Sequence, residues 1–213
     1  QYRGKLDIYR GLEVDFIPGV MGPHDETYRT LGLDYVIGSV HVIPDTETGE
    51  YRCVDYTTEE YEHLLSRVFE NDITAMVHDY FERVRRMIDA GGFRILAHID
   101  LIRKKNRNNR YYSEEEDWYR KETEETLEKT ASAGIMIEMN TGGIARGAMD
   151  SPYPGFRTLA RACDMGIPIV LNSDAHRPEH IDFWFDEGRR MLYEAGYRKR
   201  RVLKKGEWVD TDI

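Results

Sequence analysis

The sequence predicts an α/β protein built on a mostly parallel sheet, and three observations support this. Short apolar runs rich in β-branched residues alternate with stretches that have helical spacing. The runs are almost continuously apolar, as in strands covered on both faces. Several helical stretches end at a glycine, which is a common helix stop. With 213 residues, the chain is expected to form a single domain over residues 1–213.

Five apolar runs are predicted as strands, and each carries a side chain suited to chemistry. The runs are residues 6–14, 34–41, 93–98, 134–140 and 167–173. The polar side chains in or just after these runs are Glu13, His41, His98, Asn140 and Asp174. Because parallel strands all end at the same edge of their sheet, these side chains are expected to lie near one another.

Five stretches between these runs are predicted as helices. They are residues 58–69, 73–90, 113–133, 156–165 and 181–195. In residues 73–90 the apolar positions recur every three or four residues, and Gly91 follows. Ser113 with Glu116 has the spacing of a capping box, which predicts a helix start there.

Charge and composition exclude several functional classes. The net charge is −9, so the chain is a poor candidate for binding nucleic acid or an anionic membrane. No apolar run reaches the roughly 20 residues that a membrane span needs. Cys53 and Cys163 form no CxxC pair, which fits a reducing cytoplasm. No feature of the sequence defines an oligomeric state.

Two long connections join the predicted elements. Residues 15–33 contain two Pro/Gly pairs and are expected to form an active-site loop or a small excursion. Residues 99–112 are basic in an acidic chain. They are either a solvated loop or an anion-attracting rim beside His98.

Three of the seven histidines occupy positions that favour metal binding. His41, His98 and His176 stand at or just beyond predicted strand ends, and Asp174 with His176 forms an Asp-x-His pair. Imidazole and carboxylate ligands without thiolate suit Zn²⁺, Mn²⁺ or Fe²⁺. The pattern therefore predicts a metallohydrolase.

The other histidines divide into three cases. His63 and His78 lie in helical patterns and are interpreted as surface or packing residues. His24, in the Pro/Gly loop, is left undecided. His180 follows the last strand closely and is a candidate for substrate binding.

Five motifs in order resemble those of the polymerase-and-histidinol-phosphatase (PHP) family. They are GLEVD at 11–15, DYVIGSVH at 34–41, LAHIDLI at 96–102, IEMNT at 137–141 and NSDAH at 172–176. The match is best with the histidinol-phosphate phosphatase branch. Gly-Ser-Val-His followed by Ser-Asp-Ala-His is the most specific part of the resemblance.

The resemblance implies a distorted (β/α)7 barrel that holds two or three divalent metal ions (Zn, Mn or Fe). It assigns metal ligation to Glu13, His41, His98, Asp174 and His176. Asp174 and His176, together with Arg146, form the expected catalytic group. An arginine at a strand end is suited to grip phosphate, although a structural salt bridge is the alternative for Arg146. Asn140 is expected to bind substrate or to orient ligands, Asp100 to orient ligands, and Glu138 to line the barrel.

The sequence departs from the family at its beginning. Family members begin with a strand carrying His-x-His, and this chain runs directly into the Glu13 motif. We expect that the first strands of the barrel, on the order of 60 residues for two βα units, are missing from this chain. Such a fragment is expected to bind metal weakly and to be a poor catalyst.

The expected reaction is hydrolysis of a phosphomonoester, with L-histidinol phosphate as the first candidate. Metal ions would lower the pKa of a water, and the hydroxide would attack phosphorus. Three alternatives stay open. They are another PHP phosphoesterase (acting on phosphotyrosine, a nucleotide or another alcohol phosphate), a metallohydrolase barrel that cleaves C–N bonds, and a non-catalytic metal-binding module.

Overall fold

The computed structural model describes residues 6–213, so the first five residues of the predicted domain lie outside it. Five parallel strands form one sheet. In order across the sheet they are β1 (Gly11–Asp15), β2 (Tyr35–Ser39), β5 (Ile95–Leu96), β6 (Met136–Asn140) and β7 (Ile169–Asn172). All four pairings are parallel, which confirms the predicted α/β class.

Each strand is shorter than the apolar run that predicted it. The first run began at residue 6, but β1 begins at Gly11. The third run covered 93–98, yet regular pairing in β5 is confined to Ile95 and Leu96. The backbone continues alongside β2 on either side, because Arg94 donates to Val36 O and Ala97 donates to Gly38 O. The apolar runs in the sequence therefore extend beyond the residues that form regular strand pairs.

Seven α-helices surround this sheet within residues 6–213. They are α1 (Glu26–Thr30), α2 (Thr58–His63), α3 (Ile73–Ala90), α4 (Asp117–Ala133), α5 (Gly142–Ala145), α6 (Phe156–Asp164) and α7 (Phe185–Glu194). The prediction for α3 is confirmed at both ends, with Asp72 accepting from Ala75 N as the N-cap. Residues 58–69 form α2 followed by a π-helical turn, Leu64–Val68.

Two predicted helix starts were wrong. The prediction placed the start of α4 at Ser113, but residues 113–116 form a turn in which Glu116 accepts from Ser113 N. The last helix begins at Phe185 rather than at residue 181. A 3-10 turn at Pro178–His180 and a left-handed Trp184 precede it.

Two antiparallel hairpins were not predicted. The first pairs β3 (Val42–Pro44) with β4 (Tyr51–Cys53), directly after His41. The second pairs β8 (Lys199–Lys204) with β9 (Glu207–Asp212). The strands of the first hairpin have only three residues each, which is too short for an alternating pattern to be recognised in the sequence.

The hydrophobic core lies on both faces of the sheet. On one face α3 buries a row of apolar side chains that includes Met76, Tyr80 and Phe81. On the other, Ile95, Met136 and Val170 form a smaller cluster against which Trp208 of the C-terminal hairpin packs. No helix in the described part of the chain is both long and apolar enough to cross a membrane.

Candidate metal centre

Three predicted metal ligands meet at the carboxyl edge of the sheet. Glu13 is in β1, His41 follows β2 and His98 follows β5, and these are neighbouring strands. The Glu13 Oε1 atom is 3.1 Å from His98 Nε2 and 3.7 Å from His41 Nε2. Within residues 6–213 these three side chains form a group whose ligand atoms all lie within 4.8 Å of one another. We call them the three-residue cluster.

The Glu13 carboxylate makes the three-residue cluster a favourable place for a positive charge. Burial would raise the pKa of Glu13, but the hydrogen bond and charge of His98, with the charge of His41, lower it to about 2. Burial would lower the pKa of His98, yet the hydrogen bond and charge of Glu13 raise it to about 9. A metal cation in place of that proton would satisfy the same carboxylate.

Asp15 orients His41, a role that the sequence analysis did not assign. Its Oδ1 atom accepts from His41 Nδ1 at 2.6 Å and from Ser39 Oγ at 3.1 Å. The ring nitrogen Nε2 of His41 is thereby turned toward Glu13. A carboxylate that fixes the second nitrogen of a histidine is the usual support of a metal-ligating imidazole. The one available signal was its place two residues after Glu13, on the same face of the strand.

The second group at this edge is Arg146 with Asp174 and His176. The guanidinium donates to Asp174 Oδ2 and Asp174 O, both at 2.9 Å, and to His176 Nδ1 at 2.9 Å. Asp174 has a left-handed backbone with φ of 46°, a strained conformation typical of functional sites. In this structure the Asp174 carboxylate contacts Arg146 and not the three-residue cluster.

Gly142 makes room for this arrangement. A Cβ at position 142 would lie 2.9 Å from Arg146 Nη1 and 2.9 Å from Asp174 Oδ2. Both atoms belong to the ion pair, so a side chain at this position would push the pair apart. The lack of a side chain at Gly142 therefore allows the Arg146–Asp174 pair to lie close to the backbone.

Both groups face one cavity of about 580 Å³. Its polar lining comprises Glu13, Asp15, Ser39, His41, Asp55, Tyr56, His98, Lys104, Arg146, Tyr153, Asp174 and His176. The cavity thus combines four carboxylates, three imidazoles and two permanent cations. Such a mixture suits an anionic substrate once divalent cations are bound.

Glu138 lies buried beneath the cavity and connects three strand ends. Its carboxylate accepts from His98 N at 3.0 Å, from Asn140 Nδ2 at 2.9 Å and from Asn172 Nδ2 at 2.7 Å. Burial raises the pKa of Glu138, although the charge of His98 and these hydrogen bonds oppose the rise. Glu138 is more than the lining residue that the sequence analysis expected, because it holds the backbone of His98 in place.

Two residues predicted to bind substrate are not at the cavity wall. Asn140 is buried. Its amide donates to Glu138 at 2.9 Å and accepts from Gly142 N at 2.8 Å, so it orients the strand ends. His180 packs its ring against Phe183 at 6.0 Å and does not line the cavity. A strand-end position alone did not distinguish a buried support from an exposed contact.

The remaining predictions for polar side chains are resolved by their contacts. His63 donates to Asp45 and His78 pairs with Glu122, consistent with packing roles. In the basic stretch 99–112, Lys104 lines the cavity. Arg103 points into the protein, where it donates to Glu114 and to Pro152 O. The stretch is thus neither a fully solvated loop nor a continuous basic rim.

A parallel α/β sheet whose strand ends gather imidazoles and carboxylates around an open cavity defines a metallohydrolase class of site. The family model for the PHP domain matches residues 2–142, which is more than half of the chain. The chain belongs to the PHP family.

Relatives with assigned functions point to one branch of that family. The chain is 29% identical over 198 residues to a protein of Deinococcus radiodurans named "probable histidinol-phosphatase", covering 93% of this chain and 68% of that protein. It is 28% identical over 192 residues to the histidinol-phosphatase of Bacillus subtilis, covering 87% of this chain and 69% of the other.

A solved structure shares the fold. It is the histidinol phosphate phosphatase of Lactococcus lactis, determined with zinc, L-histidinol and phosphate. The TM-score is 0.66 at 18% identity, covering 98% of this chain and 74% of that one.

Proposed function

We propose that this protein is a metal-dependent phosphomonoester hydrolase that converts L-histidinol phosphate to L-histidinol and phosphate. The observation that carries the proposal is the three-residue cluster of Glu13, His41 and His98, which shares one cavity with Arg146. The names of the two sequence relatives and the ligands of the Lactococcus lactis enzyme support the choice of substrate.

The donor set fits a divalent cation. Two imidazoles and a carboxylate are ligands for Zn²⁺, Mn²⁺ and Fe²⁺, and the zinc bound to the Lactococcus lactis enzyme favours Zn²⁺. Glu13, His41 and His98 would hold the first ion, and Asp174 and His176 would contribute to a site for two or three ions. Bound divalent ions would supply Lewis-acid polarisation of the phosphate and a water of lowered pKa.

The chain's own side chains would position the phosphate. The Arg146 guanidinium lines the cavity, where its contacts with Asp174 and His176 hold it in place. In the proposed reaction it grips two phosphate oxygens and neutralises charge as water attacks phosphorus and the alcohol leaves. His176 is exposed, and its Nδ1 atom accepts from Arg146, which leaves Nε2 as the nitrogen that would bind a metal ion.

The proposal also covers the fold and the location of the protein. The parallel strand order and the likeness to the Lactococcus lactis structure support a distorted (β/α)7 barrel of which this five-stranded sheet is part. We assign all of residues 1–213 to that one domain. Cys53 and Cys163 are both free thiols, which supports a reducing cytoplasm.

A substrate panel tests the proposed function. The protein, loaded in turn with Zn²⁺, Mn²⁺ or Fe²⁺, is assayed for phosphate release from L-histidinol phosphate, phosphotyrosine, a nucleotide and a simple alcohol phosphate. We expect L-histidinol phosphate to have the highest kcat/KM. A preference for another ester would replace the substrate, and cleavage of an amide without phosphate release would overturn the reaction type.

Variants test the residues independently of the substrate. We expect His41→Asn to lower kcat by at least about 100-fold, because a metal ligand is lost. The matched control His78→Asn removes an imidazole that pairs with Glu122 on the helical layer. Equal activity of the two variants would show that His41 is not a ligand.

A further inference from the structure

A half-buried ion pair on the cavity wall has no role in the chemistry described above. Asp55 follows β4, and Lys104 lies in the 3-10 turn Leu101–Lys105 after β5. Lys104 Nζ donates to Asp55 Oδ2 at 2.7 Å, and the two side chains are 16% and 18% exposed. Both line the same cavity as the three-residue cluster.

The Asp55 carboxylate keeps one oxygen free. Among residues 6–213 no donor contacts its Oδ1 atom, and this atom is not sealed from solvent. A carboxylate with a purely structural role looks different in this protein. Asp45, at the far side of the same hairpin, has both oxygens occupied by four donors, Glu47 N, Thr48 N, Arg52 and His63.

Asp55 remains charged at neutral pH. Burial would raise its pKa, but the hydrogen bond and charge of Lys104 lower the pKa overall. The segment is also fixed in place, since the Lys105 ammonium donates to Tyr56 O at 2.9 Å. A charged, positioned carboxylate oxygen facing a cavity is suited to receive an ammonium group.

The other carboxylates on the cavity wall are already committed. Glu13 contacts His98 and His41, Asp15 accepts from His41, and Asp174 pairs with Arg146. Among the described residues, Asp55 is thus the lining carboxylate that neither belongs to nor contacts the three-residue cluster or Arg146. In an ester of a 2-amino alcohol the ammonium lies within about 5 Å of phosphorus, so it must reach the wall close to the phosphate site.

We propose that Asp55 binds the ammonium group of an amino-alcohol phosphate, with Lys104 as its positioning residue. This assignment rests on the proposed function. The free Oδ1 atom accepts from the substrate ammonium while Oδ2 stays with Lys104. This contact makes the protein selective for phosphate esters that carry a neighbouring amine, and it takes no part in bond breaking.

Paired substrates test this assignment. L-histidinol phosphate is compared with imidazolylpropyl phosphate, which is the same ester without the ammonium. We expect Asp55→Asn to lower kcat/KM for L-histidinol phosphate by roughly 10- to 100-fold, the effect of losing one charged hydrogen bond. The kcat/KM for the deaminated ester should change less than about threefold. The control Asp89→Asn breaks a remote Lys–Asp pair, that with Lys129, and should affect neither ester.

Binding measurements keep the test independent of turnover. By calorimetry, Asp55→Asn should weaken binding of L-histidinol while leaving the affinity for inorganic phosphate unchanged. Equal losses for both esters and both ligands would overturn the assignment, because they would indicate a structural role. The assignment would also be overturned if Asp55→Asn kept the selectivity of the unmodified protein for L-histidinol phosphate over the deaminated ester.

The assignment and the proposed function can fail separately. If the unmodified protein hydrolyses both esters, a negative result with Asp55→Asn counts against Asp55 alone. If the unmodified protein releases phosphate from neither ester, the proposed function fails and the Asp55 assignment fails with it.

Discussion

Replacing Glu138 by glutamine tests whether the strand ends are held together by one buried carboxylate. Glutamine keeps one oxygen, which serves His98 N and Asn140 Nδ2, but turns an amide NH₂ toward the Asn172 amide that donates to Glu138 Oε2. The facing donors cost about 1–3 kcal/mol. Loss of charge weakens the two remaining bonds by about 1 kcal/mol in total, because relief of the buried charge offsets part of their weakening. We expect Glu138→Gln to lose about 2–4 kcal/mol.

Thermal unfolding measures this loss. For a chain of this size, 2–4 kcal/mol corresponds to a fall in Tm of roughly 5–15 °C. The control Glu124→Gln removes a charge from the exposed pair with Arg161 and should cost less than about 1 kcal/mol. Adding Asn172→Asp to Glu138→Gln gives the new amide an acceptor and should recover part of the loss. A Tm equal to that of the unmodified protein would refute the reasoning.

Two further predictions concern the surroundings of the site. Gly142→Ala should displace Arg146 and Asp174, lowering kcat/KM by roughly 10- to 100-fold with a small change in Tm, because its Cβ would lie 2.9 Å from both side chains. Unchanged kinetics would contradict the close packing. The second prediction is a pH dependence. The hydrogen bond from His63, with others, holds the pKa of Asp45 well below its usual range. Stability from this carboxylate is therefore present above its unfolded pKa of about 3.9 and lost as pH falls further. Asp45→Asn should lower the Tm at pH 7 and lower it less near pH 2; an equal deficit at both pH values would be inconsistent with this pH dependence.

The sequence predicted the regular elements well where packing imposes a period. In Ile73–Ala90 the buried positions recur at helical spacing, so the pattern contained both the helix and its buried face. The β3–β4 hairpin was missed because its three-residue strands are mostly not buried and show no period. The helix start at Asp117 was misplaced because the side chains of Ser113 and Glu116 are used in a turn before it. The start at Phe185 was misplaced because a 3-10 turn and the left-handed Trp184 precede it.

The sequence predicted only part of the site, because the prediction relied on side chains at the ends of predicted strands. Strand ends identified Glu13, His41 and His98, and the structure brings these three together. The same rule also selected Asn140, which the structure buries as a support. Asp55 was missed because it stands after a strand of the unpredicted hairpin, and pairing with Lys104 across 49 positions leaves no local signal.

Metal affinity tests the central claim most directly. The apo protein is titrated with Zn²⁺ by calorimetry, alongside Glu13→Gln, His41→Asn and the control His78→Asn. We expect the unmodified protein and the control to bind Zn²⁺ equally, and each cluster variant to bind it at least about 10-fold more weakly. Zn²⁺ binding that is unaffected by the loss of Glu13 or His41 would contradict this claim.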